Sequence, residues 1–170
     1  MKVAARFVFT LALALFLSAC EGFHLRGTAG DVSLEGINPL YITGLSETDE
    51  FYRILRDYLT HYGVSVTDRK EGAAKQLSIF DRQSEKKVHS VGGRGKVLEY
   101  ELIEGFAYHL GSSVPGQIEQ EGANRLSVNR VYTNPETEVL GRANEETQIW
   151  RDMRQQLASR LIRMLSAKAR

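Results

Sequence analysis

Two segments of the chain carry apolar residues with the period of an α-helix. In the first segment the apolar positions recur at intervals of three and four: Phe51, Ile54, Leu55, Tyr58, Leu59 and Tyr62. Polar residues at 46–49 supply helix start signals, and Gly63 follows the last apolar position as a C′ glycine. The second segment, roughly 143–167, predicts a long amphipathic helix with these apolar positions: Ala143, Trp150, Met153, Leu157, Leu161, Met164 and Leu165.

Other segments alternate with the period of two that is typical of a β-strand. The clearest is 97–110, where one face would carry Leu98, Tyr100, Leu102, Phe106, Tyr108 and Leu110, and the other Glu99, Glu101 and His109. Shorter strand patterns cover 40–42, 76–80 and 126–132, the last interrupted by Arg130, and extended chain begins again near Val64. The glycine-rich segment 92–96 predicts a turn between two strands. This order predicts an α+β fold with two helices packed on one face of a four-stranded, mostly antiparallel sheet.

The N-terminus has the pattern of an export signal. Lys2 and Arg6 precede an apolar run at 7–16, and Leu17-Ser18-Ala19-Cys20 follows it. The run is shorter than the roughly 20 residues that a membrane-spanning helix needs. The four residues ending at Cys20 resemble the lipobox of bacterial lipoproteins, in which the cysteine is acylated and becomes the first mature residue. The alternative is an ordinary signal peptide with an incidental cysteine.

These boundaries predict a signal peptide at 1–19, a lipidated lead at 20–38 and one α/β domain at 39–170. The 151 residues that remain after cleavage can bury a sizeable core. Removing the leader's two basic residues leaves 20 Lys and Arg against 21 Asp and Glu, so the mature net charge is about −1. A global positive field for nucleic acid is therefore not expected.

Motifs for catalysis or metal binding are weak in this sequence. The four histidines, His24, His61, His89 and His109, have no metal-ligand spacing, and the glycine-rich turn does not match a phosphate-binding P-loop. We therefore expect no enzymatic activity, no metal site and no cofactor. Basic residues do gather near the turn and before the second helix: Arg82, Lys86, Lys87, Arg94, Lys96 and Arg142. They are either ordinary solvated charges or an anion site for a phosphate-bearing ligand.

Motifs along nearly the whole mature chain resemble the LptE family of lipopolysaccharide-assembly lipoproteins. The matching segments, in chain order, are 22–27 (GFHLRG), 99–102 (EYEL), 130–132 (RVY) before Asn134-Pro135, 140–142 (LGR) with Glu145-Glu146, and the helix at 150–165. Glu21 departs from the family pattern, because it separates Cys20 from the usual glycine.

The resemblance implies a non-enzymatic lipoprotein that plugs the LptD β-barrel and helps to place lipopolysaccharide in the outer leaflet. It implies an outer-membrane location through the acyl anchor, and the absence of aspartate after Cys20 agrees with that destination. Lipopolysaccharide binding would fall on Arg94, Lys96 and Arg142, with Lys86 and Lys87 as weaker candidates. The alternative is an auxiliary lipoprotein of a lipid-transport ABC system, which would bind an inner-membrane partner or a phospholipid.

Overall fold

The computed structural model describes residues 32–112, 122–134 and 139–169, with the backbone alone for 139–142. After a 3₁₀ turn at Glu35–Ile37, the described residues form these elements in order: β1 (Leu40–Thr43), α1 (Glu50–His61), β2 (Val66–Thr67), β3 (Lys75–Val91), β4 (Val97–Ser112), β5 (Asn124–Thr133) and α2 (Val139–Lys168). No helix in this described part of the chain is long and apolar enough to cross a bilayer.

The strands form one mixed sheet in the order β2-β1-β3-β4-β5. β1 runs parallel to both of its neighbours, whereas β3, β4 and β5 are antiparallel. The predicted α+β class is confirmed, and the sheet has five strands where four were expected. The additional strand, β2, is only two residues long and pairs Val66 with Leu40. It overlaps the extended chain that the sequence predicts from Val64 and Val66, which the four-stranded prediction does not count as a strand.

The core lies between the sheet and the two helices. α1 contributes Phe51, Leu55 and Leu59, which are at most 1% exposed, as the helical stripe predicts. Asp49 is the N-cap, because its Oδ1 accepts a hydrogen bond from the Phe51 N–H at 2.7 Å. Gly63 ends the helix region with φ of 78°, a conformation that favours glycine. The first turn, the apolar stripe and the C-terminal end of α1 therefore agree with the prediction from the sequence.

α2 departs from its predicted pattern at both ends. It begins at Val139, four residues earlier than expected, and Ala143 is exposed. Its buried apolar side chains are Met153, Leu157, Ala158, Leu161, Ile162 and Leu165. The buried stripe is displaced around the helix toward Ile162 in its C-terminal half, which leaves Met164 44% exposed, contrary to the prediction. Trp150 is only partly buried at the edge of the core.

A β-bulge in β3 changes which side chains face the helices. Phe80 pairs with Ala107 and Gln83 pairs with Gly105, so one extra residue lies on β3 between these pairs. Asp81 in the bulge has φ of 49°. Because a one-residue shift reverses the alternation of a strand, odd positions face the helices before the bulge and even positions face them after it.

Candidate functional site

The two long strands β3 and β4 form a hairpin whose turn carries the predicted basic residues. The turn is closed by hydrogen bonds from the Gly92 N–H to the Lys96 carbonyl (2.7 Å) and from the Gly95 N–H to the Gly92 carbonyl (2.9 Å). Gly95 has φ of 74°, which glycine adopts at little cost. Arg94 and Lys96 are both exposed. The turn therefore presents two cations at the end of the hairpin.

The half of the hairpin next to this turn contributes nothing to the core. None of the residues 81–99 is buried. Three apolar side chains there are exposed to water: Val88 (54%), Val91 (59%) and Leu98 (47%). The prediction that Leu98 belongs to the apolar face of the core is wrong, because its side chain is not covered by the core residues of the helices. We call residues 88–98 the hairpin tip; it combines exposed apolar groups with two cations.

Lys86 is held in a cluster with the N-terminal part of α2. Its Nζ lies 2.6 Å from Glu146 Oε2 and 4.2 Å from the centre of the Tyr100 ring. Tyr132 donates its hydroxyl to the same carboxylate oxygen at 2.6 Å. Burial alone would raise the pKa of Glu146, but the hydrogen bonds from Lys86 and Tyr132 outweigh it and lower this pKa. A ligand phosphate at Lys86 would have to displace Glu146.

The five candidate lipopolysaccharide-binding residues do not form one cluster. Lys87 lies on the face opposite Lys86 and forms an ion pair with Glu85 at 2.7 Å. Lys86 pairs with Leu102, six strand positions from Lys96, so the two lysines are roughly 20 Å apart along the hairpin.

Two of the predicted site residues lie partly or wholly outside the described residues. Arg142 is the fourth residue of α2, not a residue before the helix as predicted, and its side chain is outside the described part. Cys20 lies outside the described residues altogether. Arg94 and Lys96 therefore remain the described candidates that are both exposed and adjacent.

Sequence reasoning missed a buried acid on the core face of β4. Glu104 is 3% exposed, and its Oε1 lies 3.0 Å from Arg154 Nε of α2 and 4.0 Å from Arg82 Nη2 in the bulge. Burial raises the pKa of Glu104 despite the opposing effect of Arg154. Arg154 also binds Glu50 at the start of α1. An acid within the apolar alternation of β4 was the available signal for this network.

The network around Glu104 links elements of the core and does not resemble a catalytic site. It connects buried Glu104 of β4 with Arg154 of α2 and, through Arg154, with Glu50 of α1. In the described part of the chain, no group of three or more His, Cys, Asp or Glu side chains could hold a metal ion.

The family described as "LptE: Lipopolysaccharide-assembly" matches residues 37–165 of this sequence. The chain belongs to the LptE family. One curated relative, the LPS-assembly lipoprotein LptE of Photorhabdus laumondii, is 30% identical over 159 residues, which is 91% of this chain and 82% of the relative. LptE proteins are non-enzymatic assembly lipoproteins, so the expected absence of catalysis agrees with the family.

Solved structures with the same fold support the LptE architecture. Rare lipoprotein B from Shewanella oneidensis has a TM-score of 0.65 at 23% identity, covering 77% of this chain and 96% of that one. A lipoprotein B from Nitrosomonas europaea has a TM-score of 0.66 at 24% identity, covering 86% and 91%. At these identities the likeness concerns the fold alone.

Proposed function

We propose that this LptE-family chain is an outer-membrane lipoprotein that plugs and assists the LptD β-barrel and binds lipopolysaccharide non-covalently through its hairpin tip. Acyl groups on Cys20 would hold it on the membrane after removal of residues 1–19, and residues 20–38 would link the anchor to the folded domain. Several acyl chains give stable anchoring, since each buried CH₂ contributes about 0.8 kcal/mol.

The observation that carries the binding proposal is the composition of the hairpin tip. Lipopolysaccharide joins phosphate groups to acyl chains, so a binding surface needs cations and apolar area side by side. Arg94 can bind a phosphate through two parallel hydrogen bonds, and Lys96 acts as a point charge. The exposed side chains of Val88, Val91 and Leu98 supply apolar area next to them. Covering such area is worth roughly 25 cal/mol per Å².

Charged and amide side chains on the open face of the sheet support a location within a barrel. On that face Lys87 pairs with Glu85, and Asn129 donates to Glu101 Oε1 at 2.8 Å. The lumen of a large outer-membrane barrel is also polar, so these groups can exchange water for polar partners at low cost. The family assignment favours this partner over the alternative of a lipid-transport ABC system.

The proposal is tested by reversing the charge of the candidate cations. We expect the variant Arg94→Glu, Lys96→Glu, Arg142→Glu to bind purified lipopolysaccharide at least about tenfold more weakly, a loss of about 1.4 kcal/mol. Its urea unfolding midpoint should not change, because Arg94 and Lys96 are exposed.

A matched control distinguishes an effect of where the charges lie from an effect of the change in net charge. The variant Arg53→Glu, Arg69→Glu, Lys70→Glu makes the same charge change at exposed positions on α1 and after β2. It should bind normally; equal weakening of both variants would contradict the assignment to the tip. Pull-down of the acylated chain from solubilised envelopes should recover an outer-membrane barrel, whereas recovery of a permease complex would favour the alternative.

A further inference from the structure

The sheet has two edges, and they differ greatly in length. β2 forms one edge with two residues, and β5 forms the other with ten. β5 pairs with β4 without any register shift, from Asn124 opposite Tyr108 to Thr133 opposite Glu99. A long regular edge strand presents unpaired backbone groups to which another strand can add, and most proteins block such an edge.

Two hydrogen bonds establish which residues of β5 turn their backbone outward. The Asn134 N–H donates to the Leu98 carbonyl of β4 at 2.7 Å, so even positions face β4. The Ser127 carbonyl instead accepts from Arg160 of α2 at 3.2 Å, so odd positions face outward. Because alternate residues of an antiparallel strand point to the same neighbour, Asn129, Val131 and Thr133 turn their N–H and C=O groups away from the sheet.

Only part of this edge is covered by a side chain. Arg160 caps the outward carbonyl of Ser127, and among the described residues none donates to or accepts from the outward backbone groups of Asn129, Val131 or Thr133. The uncovered stretch opens onto a groove of about 460 Å³ between β5 and α2, lined by Arg130, Val131, Tyr132, Thr133, Glu145 and Ile149. We call residues 129–133 the open edge.

We propose that the open edge is a docking site for an extended polypeptide segment of another protein, which adds as a sixth strand and places an acidic side chain against Arg130. Arg130 is exposed, faces the helix side opposite Leu102, and forms no ion pair with another described residue. Backbone hydrogen bonds to 129–133 would supply affinity, and side chains entering the groove would supply selectivity.

A second copy of this chain fits the open edge less well than a lone strand does. α2 lies on the helix side of β5, with Glu145 and Ile149 at the groove. Pairing two β5 strands would bring the same part of α2 from each copy to one place, with like charges at Glu145. A single strand has no covering helix, so it can occupy the groove.

The test uses the full acylated chain in detergent and a defined probe. The probe is a fluorescein-labelled, N-acetylated seven-residue peptide of alternating Val and Thr with one central Asp, titrated by fluorescence anisotropy. Val131→Pro removes an outward N–H and leaves the β4 ladder intact, and Val131→Thr is the control that keeps this N–H. We expect the proline variant to bind the peptide at least tenfold more weakly than the threonine variant.

A second set of variants tests the proposal even if proline at position 131 disrupts the fold. Arg130→Glu should weaken binding of the Asp peptide about two- to fivefold and strengthen binding of a Lys-for-Asp peptide by a similar factor. Arg94→Glu with Lys96→Glu should leave peptide binding unchanged, so failure of the lipopolysaccharide proposal would not affect this result. Equal binding by the two Val131 variants, no charge exchange at Arg130, or self-association of the chain in place of peptide binding would overturn the proposal.

Discussion

Replacing Arg154 by Met should be among the more destabilising changes outside the apolar core. The substitution keeps the length and the apolar stem of the side chain but removes the guanidinium that contacts Glu104 and Glu50. Glu104 would then stay buried as a carboxylate, with Arg82 Nη2 at 4.0 Å as its nearest remaining cation.

The expected loss of stability follows from the charge that stays buried when one partner of this ion pair is removed. Removing one partner of a buried pair costs about 3–5 kcal/mol, because the other charge is left uncompensated. Arg82 partly compensates Glu104, so we expect Arg154→Met to lower the free energy of unfolding by about 3 kcal/mol at neutral pH. Glu104→Gln should cost less, about 1 kcal/mol, because Arg154 keeps its ion pair with Glu50.

The loss of stability caused by Arg154→Met should depend on pH, and it should be smaller at acidic pH than at neutral pH. Burial raises the pKa of Glu104 in the folded protein above the ordinary value of a glutamate. The stability that this group contributes is therefore complete below pH 4.5 and is lost as the pH rises through the folded-state pKa. Loss of Arg154 raises that pKa further, so the penalty of Arg154→Met should shrink as the pH falls toward 4.5. Asp49 and Glu50, whose pKa values are lowered, titrate below that range.

Urea unfolding of the four proteins in a double-mutant cycle, at neutral pH and near pH 5, would measure these effects. The double variant Glu104→Gln, Arg154→Met should be more stable at neutral pH than Arg154→Met alone, because it contains no uncompensated buried carboxylate. If Arg154→Met costs the same at both pH values and in both backgrounds, Glu104 is not the group through which it acts.

Two further changes test the packing of α2. Trp150→Ala should cost only about 1–2 kcal/mol, because the ring is partly buried, whereas Leu157→Ala, at 1% exposure, should cost about 2–5 kcal/mol; equal costs in urea unfolding would contradict this order. Glu146→Gln should speed hydrogen exchange in the N-terminal turns of α2, because it weakens the contacts with Lys86 and Tyr132. The lowered pKa of Glu146 means that its stabilising effect is present above pH 4.5 and lost as the pH falls below it, so variant and parent should exchange alike in acid.

The sequence predicts an element well when a single buried face sets its apolar pattern along the whole length of the element. The stripe of α1 lies on the core along its whole length, so its period, its start signals at 46–49 and its terminal Gly63 all agree with the structure. α2 is less regular, because its buried face moves around the helix and excludes Met164. A fixed period cannot anticipate that displacement.

β3 shows why other parts of the fold could not be predicted. Only 76–80 has a recognisable strand pattern, whereas the strand continues to Val91. The bulge at Asp81 reverses the alternation, and none of the residues 81–91 beyond it is buried, so no apolar period marks this half of the strand.

The candidate site was predicted only in part. The exposed cations of the turn follow from its composition. The exposure of Leu98 does not, since it depends on tertiary packing that the alternation of β4 cannot show. The engagement of Lys86 by Glu146 joins residues 60 positions apart in the sequence, beyond the reach of any local pattern.

The bulge in β3 also limits how this hairpin can change in length during evolution. Deleting a single residue between Gln83 and Lys86 would exchange the two faces beyond it and place Lys87 at the position where Lys86 now contacts Glu146. A change of two residues on each strand would keep every side chain on its present face and would only move the turn outward or inward by about 7 Å. Relatives with longer or shorter hairpins should therefore differ by even numbers of residues per strand.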